Sequence, residues 1–375
     1  MINAEISSFL QSRIDANDFP SAVYLVAENG EIRYRDALGY AVVEPERIPA
    51  RLDTIYDLAS LTKVLVTGLL AAILVENGRL KLNDPFLKYL HPLDASDKRH
   101  ITLREILTHR SGFISWLPFY LLLSERSEVL AEILKTPLTE DRDRVSYSDL
   151  NFLTLMFMLE RLLDEPIDES AKRMIFEPLG LGDTFFNTPI ELRQRIAASE
   201  TGNEYERQTC VDLGFDAVPP KDGTQSALRT RPIWGEVHDG NAYFMGGVAG
   251  HAGLFGTAED VLKIAMQFLP RYTRLLEPDS CDLFTTNFTS GMNEHRSFAF
   301  QLASMPDSTA GKLMSPQSFG HLGFTGTSLW IDPVKERVFI LLTNRTHNHP
   351  LPFVNINSVR RRFHDLAITA LDRNS

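Results

Sequence analysis

Ser60-Leu61-Thr62-Lys63 opens the apolar run from Val64 to Val75, and Asn77-Gly78 closes it. The run reads as a buried helix with a good C-terminal stop. Residues three apart on a helix lie one turn from each other on one face, so the Lys63 amine is placed to reach the Ser60 hydroxyl. A serine hydroxyl is a weak nucleophile until a base removes its proton. The amine can be that base if burial draws its pKa well below the free value of ~10.4. Ser60/Lys63 is the only pair with this spacing in the chain.

Strand-type sequence lies on both sides of this helix. Ala22-Val23-Tyr24-Leu25-Val26-Ala27, the turn residues Asn29-Gly30 and Glu31-Ile32-Arg33-Tyr34 read as a β-hairpin. Thr327-Ser328-Leu329-Trp330-Ile331, a turn at Asp332-Pro333, and Arg337-Val338-Phe339-Ile340-Leu341-Leu342 read as two more antiparallel strands. A helix is expected from about Ser358 to Leu371. Between the strand regions, Thr102 to Leu107 and Phe152 to Leu163 are helix candidates. The fold class expected is α/β (α+β), an antiparallel sheet flanked by helices. Residues 1–75 and 245–375 would form the sheet domain from both termini, with a mainly helical domain, 76–244, inserted.

Composition narrows the function. The chain has 375 residues, 43% hydrophobic and 23% charged, with a net charge of −11. That balance argues against a nucleic-acid partner, which needs clustered Lys and Arg. The one basic cluster, Arg360-Arg361-Arg362, reads as a solvated face or as helix-end charge. Cys210 and Cys281 cannot make a disulfide framework; one bridge is open to them, and free thiols are the simpler reading. Met1 to Ile6 lacks a basic segment followed by an apolar one, so the cytoplasm is the expected compartment. No unbroken stretch of about eighteen apolar residues occurs, and no membrane span is expected.

Several local features have plain readings. Ile114 to Leu123 is core, or an apolar wall beside a substrate site. Gly246 to Gly253 lacks the strand–GxGxxG–helix context of a dinucleotide site and reads as tight backbone packing beside a cleft. Thr257 and Asp260 suggest a capping box. His347-Asn348-His349 reads as loop, with no HExxH or paired-cysteine pattern to support a metal. No GxSxG elbow occurs, so an α/β-hydrolase lacks its nucleophile.

Two further segments stand with the first. Tyr147-Ser148-Asp149-Leu150-Asn151-Phe152 places a phenol two residues before a carboxylate in a turn-prone stretch, and Gly320-His321-Leu322-Gly323-Phe324-Thr325-Gly326 enters a strand. Together the three resemble the SxxK, YxN and [KH]TG motifs of the penicillin-recognising serine hydrolases, the superfamily of class C β-lactamases, DD-peptidases and related esterases. Thr102 to Phe113, Glu177 to Thr184, Val237 to Ala242 and Gly250 to Phe255 are similar to further segments of that family, in family order.

The resemblance implies a role for each residue. Ser60 is the acylated nucleophile, and Lys63 and Tyr147 share the proton work, the free phenol pKa of ~10 being lowered by the neighbouring ammonium. The Ser60 and Phe324 N–H groups form the oxyanion hole, and His321 and Gly323 line the facing strand, glycine admitting the acyl group. No metal or organic cofactor is implied, and the partner is a small-molecule acyl substrate. Two positions depart from the pattern. Asp149 stands for the asparagine and should hold Lys63 protonated, which makes Tyr147 the favoured base. Leu322 stands for the threonine and removes a hydroxyl donor to a substrate carboxylate. The expected activity is therefore carboxylic-ester hydrolysis, ahead of β-lactam or D-amino-acid peptide hydrolysis, with a non-catalytic binding protein third.

Overall fold

Alternation along the strands decides which side of the sheet faces which layer. The computed structural model describes residues 1–93, 95–139, 143–215 and 228–373. The strands are β1 (Ser21–Glu28), β2 (Glu31–Val42), β3 (Ile48–Pro49), β4 (Tyr56–Asp57), β5 (Phe255–Gly256), β6 (Gln301–Leu302), β7 (Phe319–Leu322), β8 (Ser328–Asp332) and β9 (Arg337–Thr343). Seven form one antiparallel sheet in the order β3-β2-β1-β9-β8-β7-β6, and β4 pairs with β5. The sheet thus draws only on residues before 50 and after 300.

On β1, Val23, Leu25 and Ala27 point into the larger core, beside Leu329, Ile331, Val338, Ile340 and Leu342. Ala22, Tyr24 and Val26 point the other way, with Trp330, Phe339 and Leu341. That second face is covered by the helices Ala4–Asp15 and Asn357–Asp372, through Ile6, Leu10, Phe363 and Leu366. Burial on both faces explains why β1 reads as an unbroken apolar run.

The SxxK segment is not one regular helix. Ala59–Leu61 is 3-10, Lys63–Gly68 is π-helical, and Leu69–Glu76 is α-helical, ending at Asn77 and at Gly78 with φ +68°. The helical run Ala59–Glu76 is long and apolar enough to cross a membrane by length and composition, contrary to the sequence reading. However, 83% of that window is buried inside the fold. The capping box at Thr102/Glu105 is complete. At Thr257 only half of it exists: Thr257 accepts from the Asp260 N–H, while the Asp260 carboxylate turns to the Asp183 N–H and the Thr184 hydroxyl. The glycine-rich segment is backbone packing. A Cβ on Gly250 would stand 2.4 Å from Phe152 O, and one on Gly247 2.1 Å from Asn187 Oδ1.

Candidate active site

Ser60 sits just after a tightly held bend. Ala59, its neighbour, has φ +48°, a strained value for a residue with a side chain. Asp57, buried at the end of β4, fixes the bend: Oδ1 accepts from the Ala59 N–H at 2.9 Å and Oδ2 from the His238 N–H at 2.8 Å. Thr325 and Thr327 clamp the same segment from across the site, donating to Asp57 O (2.7 Å) and Leu58 O (3.0 Å). The nucleophile's position is therefore set from two sides.

Lys63 is fully buried, and its Nζ has three partners. It donates to Ser60 Oγ at 3.0 Å and His251 O at 2.9 Å, and pairs with Asp149 Oδ1 at 2.7 Å. Asp149 is not in a turn: it begins the helix Asp149–Leu163, with Ser148 preceding it. Asp149, Asp239 and His251 bring ligand atoms within 4.8 Å of one another. Two of these groups touch Lys63 directly, Asp149 by its carboxylate and His251 by its carbonyl. The Tyr147 ring lies 5.1 Å from Nζ, and its hydroxyl faces both Ser60 and Lys63.

The charge states differ from the sequence expectation. Burial pulls the Lys63 ammonium down, but Asp149 and Tyr147 outweigh it and the pKa is raised. Burial pushes the Tyr147 phenol up; Lys63 opposes this, Asp149 adds to it, and the pKa is raised rather than lowered. Both groups rest protonated near neutral pH. At Lys63 the carboxylate of Asp149, absent from the family pattern, is the largest raising influence; at Tyr147 burial is, with Asp149 adding to it.

Tyr147 is held from behind by His109, whose ring centroid lies 4.5 Å away. His109 Nδ1 accepts from the Ser148 N–H at 3.1 Å, which leaves its proton on Nε2. His321 is buried within β7 and pairs with Leu329 across the ladder. Burial first, then Lys63 and Arg296, holds both histidines well below the ordinary imidazole range, so they are neutral. Gly323 has a structural reason of its own. A Cβ there would stand 1.9 Å from Thr327 Oγ1 and 2.6 Å from Leu58 O, so it is the protein's own clamp that needs the glycine.

Ser60, Tyr147, Asp149, His321, Gly323 and Phe324 line one cleft of about 810 Å³, with Lys63 beneath it. Ser115 and Trp116 line it too, while Phe119 and Leu123 of the same segment are core. Sequence reading missed its arginines, Arg296, Arg345 and Arg360. Arg360 is buried rather than solvated. Arg296 bonds Glu294 through Nε and Nη2 and lies 5.7 Å from the Tyr147 ring; its buried Nη1 has no acceptor among the described residues. Glu206, Asp212 and Asp239 line the cleft as well. Asp239 falls in the family-like segment Val237 to Ala242, while no motif surrounds the arginines, Glu206 or Asp212, which the fold brings to the cleft. His347 is structural, with Nε2 accepting from the Val43 N–H at 2.8 Å. Cys210 and Cys281 are free and buried.

The family model described as "Beta-lactamase" matches residues 6–360. A putative D-alanyl-D-alanine carboxypeptidase of Escherichia coli (strain K12) is 30% identical over 373 residues, covering 92% of this chain and 82% of its own. Among solved structures, EstCE1, a hydrolase with promiscuous acyltransferase activity, superposes with a TM-score of 0.71 at 21% identity, covering 96% of this chain and 97% of that one. A class C β-lactamase from Rhodobacter sphaeroides gives 0.69 at 18% identity, covering 98% and 99%.

Proposed function

The chain belongs to the beta-lactamase family of serine hydrolases, and we propose that within it the chain hydrolyses carboxylate-bearing acyl substrates of the D-amino-acid peptide class through an acyl-enzyme on Ser60. Ser60 Oγ attacks the acyl carbon, and the carbonyl electron pair moves onto oxygen, held by the Ser60 and Phe324 N–H groups. The step runs through the fraction of enzyme in which Tyr147 is ionised: the phenolate takes the serine proton, with Lys63 remaining an ammonium beside Asp149. Collapse re-forms the carbonyl and breaks the bond to the leaving group, which takes that proton. Water then repeats the sequence and frees the acid. Because the pair titrates jointly, the active fraction belongs to Tyr147 and Lys63 together.

The observation that carries the substrate class is Arg296. Arg296 is nearly fully buried at the cleft beside Tyr147 and pairs with Glu294 through two of its nitrogens. Its third, Nη1, has no acceptor among the described residues and is the donor that Leu322 and a neutral His321 do not supply. A charged hydrogen bond of this kind contributes about 1.5–3 kcal/mol. The similarity to D-alanyl-D-alanine carboxypeptidases supports the same reading. A neutral carboxylic ester is the second reading, favoured by the hydroxyl lost at Leu322.

Parallel turnover of a D-Ala-D-Ala-terminated peptide, nitrocefin and p-nitrophenyl butyrate by the purified protein is the test. The expected result is that Arg296→Gln lowers kcat/KM for the carboxylate substrates about ten- to a hundredfold and leaves the neutral ester within a few-fold. An ester turned over fastest by the wild type, with no effect of Arg296→Gln on any substrate, would establish the second reading instead.

A further inference from the structure

The turn between β7 and β8 is gripped by two cations that pair with no anion among the described residues. Arg360 Nη2 donates to Gly323 O and Thr327 O, each at 3.0 Å. Arg345 Nε donates to Phe324 O at 2.7 Å, and its Nη1 to Val354 O at 2.8 Å. Arg360 Nη1 donates to Asn357 Oδ1 at 2.9 Å. No carboxylate among the described residues pairs with either guanidinium, although Arg360 is only 5% exposed. Burial, and then Arg345, draws the Arg360 pKa down to about 9.

Holding a buried guanidinium on carbonyl dipoles alone is costly. The cost is offset where negative charge forms close by during a reaction, and fixed positive groups around a developing oxyanion are the usual case. The placement is specific. Gly323 C=O and Phe324 N–H are the two ends of one peptide unit. A donor on the carbonyl end polarises that unit and strengthens its N–H as a donor. It also fixes the peptide plane, and with it the direction of the N–H. Arg345 holds the next peptide by its oxygen, and Thr325 and Thr327 tie the turn to the segment before Ser60.

We propose that Arg360 is a positioning residue for acyl transfer, which aims and polarises the Phe324 N–H through the Gly323 carbonyl, with Arg345 bracing the same turn from Phe324 O. This rests on the reading above in which Ser60 and Phe324 form the oxyanion hole. It gives the first member of the Arg360-Arg361-Arg362 run a task that Arg361 and Arg362 do not share: Arg361 bonds Ser308 O and Asp307 O instead, and Arg362 is exposed.

The test uses Arg360→Gln, Arg360→Lys and Arg345→Gln in the full chain. Acylation by p-nitrophenyl butyrate is followed in single turnovers, and the acyl-enzyme carbonyl stretch is read by infrared difference spectroscopy with a ¹³C-labelled acyl group. Arg360→Gln is expected to slow acylation at saturating ester about tenfold or more, with KM near wild type. Its carbonyl band should move to higher wavenumber as the hydrogen bond weakens, and Arg360→Lys should recover part of both losses. Arg345→Gln should move the band the same way by less, which keeps the test open if Arg360→Gln does not fold. Slower acylation with an unmoved band would reduce Arg360 to a structural role and overturn the proposal. Unchanged ester kinetics with a KM rise confined to nitrocefin and the D-Ala peptide would also overturn it, making Arg360 a ligand for the substrate carboxylate. If the wild type is not acylated at Ser60 at all, the parent reading falls and takes this one with it.

Discussion

Asp149 governs the charge around Ser60. Burial lowers the lysine pKa and raises that of the tyrosine; the Asp149 carboxylate, 2.7 Å from Lys63 Nζ, together with Tyr147 reverses the first and adds to the second, so the base is scarce at neutral pH and grows as pH rises. Asp149→Asn keeps the shape and removes the charge; burial then dominates Lys63 and pulls its pKa down, and the Tyr147 phenol loses a destabilising neighbour. The rising limb of kcat/KM against pH is expected to move toward acid in Asp149→Asn. An unmoved limb would show that neither Lys63 nor Tyr147 sets it. Ser60, Lys63, Tyr147 and His321 were legible in the sequence because short motifs fix them. The direction of the pKa shifts was not, since it depends on whether burial or a carboxylate wins at one atom. Arg296 and Arg360 were illegible for another reason: an arginine in sequence reads as solvated, and only folding shows that it has been taken out of water.

At the scale of elements, helix Glu204–Asp212 meets helix Gly240–Phe244 through one carboxyl. Glu206 Oε1 accepts from the Gly240 N–H at 2.7 Å, and burial and Asp239 push its pKa up to about 7. An unfolded glutamate titrates near ~4.3. Between these values the folded state keeps a proton that the unfolded state has lost, so stability is full below the lower value and falls as pH climbs through the higher. Glu206→Gln keeps the acceptor for Gly240 and cannot ionise. It is expected to unfold at higher temperature than the wild type at about pH 8, by the equivalent of about 1–3 kcal/mol, and to match it near about pH 4. Equal melting temperatures at both pH values would put the Glu206 pKa back in the ordinary range. The long strands were legible as apolar runs bounded by turn residues, and the helices from Thr102 and Phe152 as candidates. The complete capping box is at Thr102/Glu105 and not at the Thr257/Asp260 pair that the sequence suggests. β3 to β6, two residues each, carry no period to read. Nor does an apolar run announce that its first turns are 3-10 and π.

For the whole molecule, the two cores divide the labour. The C-terminal helix reaches the cleft through Arg360, but no residue of the N-terminal helix Ala4–Asp15 lines it, so damage to the N-terminal helix should cost stability and spare chemistry. Leu10, fully buried in that layer, is the site to test: Leu10→Ala is expected to cost about 2–5 kcal/mol in urea unfolding with kcat unchanged below the melting range. A matching fall in kcat would mean the layers are mechanically linked. The sheet order has a consequence for how the protein is made. β1 lies between β2 and β9, so the central pairing of Val23 with Leu342 and of Leu25 with Ile340 joins residues roughly three hundred positions apart. A ribosome that has delivered Ser60, Lys63, Tyr147 and Asp149 has still not delivered β7 to β9 or the arginine-held turn. The growing chain must keep β1, a strand apolar on both faces, from pairing wrongly until the last tenth of the polypeptide emerges. A fragment stopped short of β9 is therefore expected to be inert and open to mispairing, because one side of its β1 strand has no partner.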